Sequence, residues 1–277
     1  LFHDYSIGEM FLATVGMAVA AIPEELPPIL TIALALGVQS MARSHAIVRH
    51  LPAVEALGAV TVICSDKTGT LTRNEMTVQR VITVDHQLLV SGIGYAPSGD
   101  FSLNDKKIEV IEYAGMQDIF RAGLLCNDAM LHQQNGTWSI QGDPTEGALI
   151  TLAMKATLDP VFERVSLPRT DVIPFESEHR FMATLHHNHA GHSLIYVKGA
   201  PEEVLAMCSH QRSLGGDQLI ELDFWHAKIR EASATGQRIL AMASRAAPAE
   251  QQILQFSDVE ADFTLLGLVG IMDPPRE

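Results

Sequence analysis

"AVTVICSDKTGTLT", residues 59–72, is the stretch on which the reading of the fold turns. Ala59–Cys64 is a short apolar run rich in β-branched residues, the pattern of a buried strand. It runs into a polar turn with Asp66 at its carboxyl end, where open α/β sheets place their ligands. Gly69 and small hydroxyl residues follow, so backbone N–H groups can turn toward a phosphate, and Lys67 adds a cation. Aspartate in such a setting is a covalent nucleophile for phosphoryl transfer, giving an aspartyl phosphate. A cap for the next turn is the bland reading of Asp66, and it leaves the surrounding string unexplained.

Upstream, Met10–Ala42 is 33 residues with two charged side chains, Glu24 and Glu25, set among three prolines in "PEELPP". Its length exceeds the roughly 20 residues that cross a bilayer. Asp4 and Glu9 precede it while Arg43 and Arg49 follow, which puts the carboxyl-terminal side in the cytosol. Proline withholds the N–H that would bond four residues back, freeing carbonyls such as those of Val19 and Ala20. In hydrocarbon such groups, and a carboxylate at the same depth, are kept where they line a cavity or bind something.

Downstream of Asn74 the texture is that of a separate α+β domain of some 200 residues. Strands are expected at 77–84, 180–187, 193–199, 236–244 and 263–272, and helices at Met116–Cys126 and Pro144–Ala156. "RFMATLHH" and "SLIYVKG" read as a hairpin closed by "NHAG"; the histidines of "HHNHAGH" (186–192) then splay onto alternate faces and make an exposed hairpin rather than a metal site. "SGIGYAPSG" (91–99) reads as a loop, and the two prolines of "DPPRE" as a boundary. In "GDPTEGALI", Asp143 reads as an N-cap, Pro144 as the first helical residue and Glu146 as the acid of a capping box. A net charge of −14 argues against nucleic acid, which needs clustered Lys and Arg. Three scattered cysteines give neither metal spacing nor a disulfide framework and suit a reducing compartment. No GxxxxGK[ST] occurs, so no P-loop holds a nucleotide. The chain opens on Leu1 without a signal peptide's cationic region, and its ends read as cuts in a larger protein.

"SDKTGTLT" resembles the phosphorylation motif of the P-type ATPases, the ion pumps that cycle through an aspartyl phosphate. "IPEELP" is similar to the family's fourth transmembrane segment, "AIVRHLPAVEALGAV" to the stalk, and "GDPTEGAL", "KGAPE" and "DPPR" to signatures of the nucleotide-binding domain and its hinge. The resemblance implies three parts: a transmembrane segment (1–44) broken at PEELP, a stalk and the start of a HAD-like (Rossmann-like) α/β phosphorylation domain (45–74), and an inserted α+β nucleotide-binding domain with an antiparallel sheet (75–277). It implies phosphorylation at Asp66, charge offset by Lys67, and contact of Thr70 with the transferred phosphoryl group. It also implies Mg²⁺ ligation by the Asp66 side chain and the Thr68 carbonyl, hard oxygens that suit that ion. Related hydrolases carry a second Asp at the position of Thr68, so the threonine favours a pump over a HAD-type phosphatase.

For ATP the resemblance implies Glu146 at the adenine edge, Phe175 stacked on adenine, and Arg180 near phosphate or ribose. Lys198 follows, with Gly199 permitting close approach, and Arg238 lies near the triphosphate. Taken alone, Phe175 reads as core, Lys198 as a solvated strand-end lysine and Glu146 as a capping acid. The family's calcium pumps carry an Arg where Ser177 stands and a Gly where Glu25 stands. "PEELP" in place of Cys-Pro-Cys argues against the heavy-metal pumps, and a Glu after the first Pro resembles calcium and sodium/potassium pumps more than proton pumps. The sequence around "AVAAIPE" and "HAIVRHLP" is most similar to calcium pumps, including bacterial ones. Ca²⁺ would then be held by the Glu24 carboxylate and the carbonyls of Val19, Ala20 and Ile22. Pumping of Na⁺, K⁺, Mg²⁺ or H⁺ is the alternative. The expected partners are the bilayer, ATP, and the pump's actuator domain, remaining phosphorylation domain and other membrane helices. An integral membrane location follows, in a plasma membrane of bacterial type, with residues 45–277 cytoplasmic. Lacking the Gly-Asp-Gly-x-Asn-Asp and Thr-Gly-Glu-Ser strings, the chain alone is expected to bind ATP without turnover.

Overall fold

A computed structural model describes residues 6–21, 26–67, 69–113, 115–188 and 191–276. The chain divides into two compact units, Leu1–Ser65 and Asp66–Glu277.

In the first unit, α1 (Ile7–Ala21) and α2 (Leu26–Arg43) flank "IPEE" (22–25), which lies outside the described residues. Neither helix buries a side chain; Phe11, Leu12, Ile29 and Ile32 are all exposed. Ile7–Arg43 is one stretch long and apolar enough to cross a membrane. α3 (Pro52–Gly58) follows, with Val54 close against Gly37 of α2. The strand expected over Ala59–Cys64 does not form: these residues are exposed coil with no ladder. The reason is physical, since a β-rich run becomes a strand only where a neighbour takes its N–H and C=O groups, and every described strand lies within residues 77–272. Among the described residues no strand precedes Thr77.

The second unit is built on one large sheet. Its strands are β1 (Thr77–Ile82), β2 (Gln87–Val90), β3 (Phe101–Leu103) and β4 (Lys106–Ile108), then β7 (Arg169–Ile173), β8 (Phe181–His187) and β9 (Ser193–Gly199), and finally β10 (Cys208–Ser213), β11 (Gly216–Leu219), β12 (Arg238–Ala247) and β13 (Phe263–Met272). A separate hairpin pairs β5 (Met130–Gln134) with β6 (Thr137–Gln141). The main order is β4-β3-β2-β1-β13-β12-β9-β8-β7, with β10 and β11 joining beside β13. All pairings are antiparallel except β10 with β13. The expected hairpin is present, with Phe181 opposite Gly199 and His187 opposite Ser193. Since β1 and β13 are neighbours, the domain is entered and left at one place.

Helices cover both faces. α4 (Met116–Leu125) and α5 (Pro144–Lys155) form where amphipathic helices are expected, and α6 (Pro160–Ser166) packs beside them. Ile119, Phe120, Leu124, Leu149 and Leu152 close one core against Met182, Met242 and Val269. On the other face α7 (Pro201–Met207) and α8 (Leu222–Ala234) bury Val204, Leu205 and Trp225 against Ile195, Val197 and Leu265. Each fully buried side chain of this size contributes about 1.5–3 kcal/mol. Trp225 Nε1 donates to Gln211 Oε1 at 2.7 Å, so its one polar atom is satisfied. Cys126 and Cys208 sit in these cores as free thiols, and burial pushes Cys208 up to about 12.

Candidate functional site

Asp143 caps α5: its Oδ1 accepts from the N–H groups of Thr145 (2.8 Å) and Glu146 (3.3 Å), with Pro144 at the first helical position. The expected cap is therefore made. The capping-box role of Glu146 is not, because its carboxylate is engaged elsewhere. Oε1 takes the ammonium of Lys198 at 2.5 Å, and Oε2 accepts the Asp128 N–H at 3.1 Å. Lys198 is only 6% exposed at the end of β9, so it is not the solvated strand-end lysine of the bland reading.

This ion pair forms one wall of a cavity of about 280 Å³ that is also lined by Phe175, Gly199, Arg238, Leu149, Met182 and Leu240. Phe175 follows β7 and is 52% exposed, with its ring on the cavity wall rather than in a core. Arg238 opens β12; its side chain makes no hydrogen bond or ion pair with the described residues. Gly199 has a local reason as well: a Cβ there would lie 2.6 Å from the Arg180 carbonyl and 2.8 Å from Phe181 Cα, so the glycine admits β8. Five of the six residues singled out for nucleotide thus share one cavity.

Arg180, expected near phosphate or ribose, is the exception. It sits in the turn before β8 at φ +54°, and its guanidinium is held by Glu202 (2.9 Å) and Glu203 in the first turn of α7. It does not line the cavity. A larger, more open cleft of about 660 Å³ lies between the β5–β6 hairpin, α5 and α6, but none of the predicted residues line it. Its walls are mainly apolar, and it holds no paired charges like Glu146 and Lys198.

The histidine-rich stretch differs from an all-exposed hairpin. His186 is 1% exposed between Leu167 O (2.9 Å) and Thr184 Oγ1 (2.9 Å), and burial pulls it down to about 4. His187 faces the other way and meets Thr170 Oγ1 at 2.7 Å. His189 lies outside the described residues.

Asp66, Lys67 and Thr70 are exposed at the start of the second unit, and Thr68 lies outside the described residues. The turn after Asp66 is pinned from the far end of the domain. Thr72 Oγ1 donates to Asp273 Oδ2 at 2.5 Å, Arg276 donates to the carbonyls of Gly69 (2.8 Å) and Thr72 (2.9 Å), and Thr72 bridges to Pro275. Gly69 takes φ +74°, a conformation only glycine adopts freely. Sequence reading marked Asp273–Arg276 as a boundary but not as a clasp on this turn. Among the described residues no three His, Cys, Asp or Glu side chains gather as a metal site. Val19 and Ala20 lie near the end of α1 as described (Ile7–Ala21); Glu24 and Ile22 lie outside the described residues.

A family model described as "P-type ATPase, cytoplasmic domain N" matches residues 115–277, the span that forms most of the sheet and all of the cavity. The chain belongs to the P-type ATPases. It is 42% identical to the cation-transporting ATPase pma1 of Synechocystis over 97% of its own length, and 40% identical to a calcium-transporting ATPase of Bacillus subtilis over 99%. It is 41% identical, over 97% of its length, to the bovine (Bos taurus) calcium-transporting ATPase type 2C member 1. The chain spans 30%, 31% and 27% of the length of these three relatives, respectively.

Proposed function

We propose that this chain carries the ATP site and the phosphoacceptor of a membrane cation pump, with Ca²⁺ as its cargo. The observation that supports this most is the convergence of Glu146, Phe175, Lys198, Gly199 and Arg238 on one cavity. Adenine lies against Phe175, and the Lys198–Glu146 pair offers it both a donor and an acceptor in a desolvated wall. Arg238, whose side chain has no hydrogen bond or ion pair among the described residues, takes the phosphates. A buried ion pair is weak evidence of stability in itself, so its retention in a cavity wall favours a recognition role.

At the other end, an Asp66 carboxylate oxygen attacks the γ-phosphorus. The bond from phosphorus to the bridging oxygen breaks, ADP leaves with the electron pair, and an aspartyl phosphate forms. Lys67 offsets charge in the transfer and Thr70 contacts the phosphoryl group. The described side chains do not by themselves assemble a complete Mg²⁺ site. Mg²⁺ would be held by an Asp66 carboxylate oxygen and the Thr68 carbonyl, hard oxygens that suit it, with further ligands from the rest of the pump, and would offset charge on the phosphoryl group. The exposed apolar α1 and α2 suit a bilayer, and the freed carbonyls of Val19 and Ala20, with Ile22 and the Glu24 carboxylate, form part of the ion site. Relatives named as calcium-transporting favour Ca²⁺. Residues 45–277 are then cytoplasmic, and the chain by itself binds ATP without turnover.

Nucleotide titration of the chain tests the site. Lys198→Ala and Phe175→Ala each weaken ATP binding; parental affinity in both variants would remove the assignment.

A further inference from the structure

The loop "SGIGYAPSG" between β2 and β3 packs its one aromatic inward: Tyr95 is 7% exposed. Its ring lies on Gly147 in α5, where a Cβ would come within 3.1 Å of it, one residue beyond the Glu146 that pairs with Lys198. Thr151 of the same helix donates to the Tyr95 carbonyl (3.4 Å) and to the Gly147 carbonyl (2.9 Å). Lys155 at the helix end holds the loop's entry through Ser91 O (2.7 Å) and Gly92 O (3.2 Å). The loop is thus fastened along the helix that carries Glu146.

Its other side meets the domain's entry and exit. Gly94 N–H donates to Thr77 Oγ1 (3.1 Å), and Gly94, at φ +75°, leaves room for the Glu75 carboxylate, which a Cβ would meet at 2.8 Å. Glu75 N–H donates to Asp273 Oδ1 (3.3 Å), and Asp273 Oδ2 takes the Thr72 hydroxyl. Within this junction the Tyr95 hydroxyl is shut from water; the Met76 backbone N–H faces its oxygen and acts to lower its pKa, but no described acceptor takes the hydroxyl proton. A buried phenol normally has a partner, so an unmet donor beside carboxylates is a group in need of an acceptor. Burial, with the Glu75 charge next, pushes the hydroxyl up to about 12, so it remains a proton donor near neutrality.

We propose that Tyr95 is a positioning residue for phosphoryl transfer: on nucleotide binding its hydroxyl donates to the Glu75 carboxylate, locking α5 to the Asp273–Thr72 clasp and so fixing the Asp66 turn for attack. Glu146, Gly147, Tyr95, Gly94, Glu75, Asp273 and Thr72 form one packed path from cavity to turn. The inference rests on the function proposed above. The test uses the complete pump that contains this chain, labelled with radioactive γ-phosphate from ATP. Tyr95→Phe keeps the ring and the packing, so the ATP concentration for half-maximal labelling stays at the parental value while the labelling rate at saturating ATP falls roughly tenfold. Glu75→Gln produces the same fall, and the double variant falls no further, because the two groups act as one. A Tyr95→Phe variant labelled at the parental rate overturns the inference alone, as do losses that simply add. An unlabelled parent overturns the proposed function and this inference together.

Discussion

The Lys198 ammonium and a Glu146 carboxylate oxygen lie 2.5 Å apart, joining the end of β9 to the first turn of α5 inside a cavity wall. The side chains are 7% and 14% exposed, so each charge depends on the other for solvation. Removing one partner strands a buried charge, at about 3–5 kcal/mol. Glu146→Ala and Lys198→Met are expected to lower thermal stability and ATP affinity together, whereas the double variant Glu146→Gln/Lys198→Met regains stability without regaining affinity. Calorimetric melting beside nucleotide titration checks this.

Phe175 allows the opposite separation. Half exposed on the rim, it can be truncated with a stability loss of about 0.5 kcal/mol or less. Stacking on a base is worth about 1–3 kcal/mol, so Phe175→Ala should weaken ATP roughly tenfold or more while Phe175→Trp retains binding.

The Asp143 cap has a purely local prediction. Asp143→Ala removes the acceptor for two N–H groups at the start of α5 and should cost about 1 kcal/mol, read as a shift in the urea midpoint, with Asp143→Ser nearly silent.

His186 sets an acid limit. Burial holds it near 4, with the bond to Leu167 pulling the other way and Arg169 and His187 adding to the fall. The unfolded chain therefore binds the extra proton from about pH 6.5 downward, and the folded chain only near pH 4. Stability should drop as pH falls through this window, by up to about 3 kcal/mol. His186→Gln should flatten that part of the profile, measured by urea unfolding between these limits.

Much of the second unit was legible because its signals are local. "HHNHAGH" between two β-rich runs gives the β8–β9 hairpin, and Asp143-Pro144 gives the start of α5. Glu146 looked like a capping acid because the preference for an acid in a first turn is local, while its actual partner lies 52 residues away. The same holds for Arg180, whose carboxylates stand on a later helix, and for Asp273, which reaches back to Thr72. Ala59–Cys64 misled for a related reason: its composition favours a strand, but a strand needs a partner segment, and the described residues give this run no ladder. Gly199 was read for the ligand, although the backbone of β8 already requires it.

The central claim is that ATP bound at the Lys198 cavity phosphorylates Asp66. It is tested most directly by incubating the complete pump with ATP and the transported cation, then locating the acid-stable, hydroxylamine-labile phosphate by mass spectrometry. The account predicts label on Asp66, none in Asp66→Asn, and a higher ATP requirement in Lys198→Met. Label that persists in Asp66→Asn, or an ATP requirement unchanged in Lys198→Met, would contradict it.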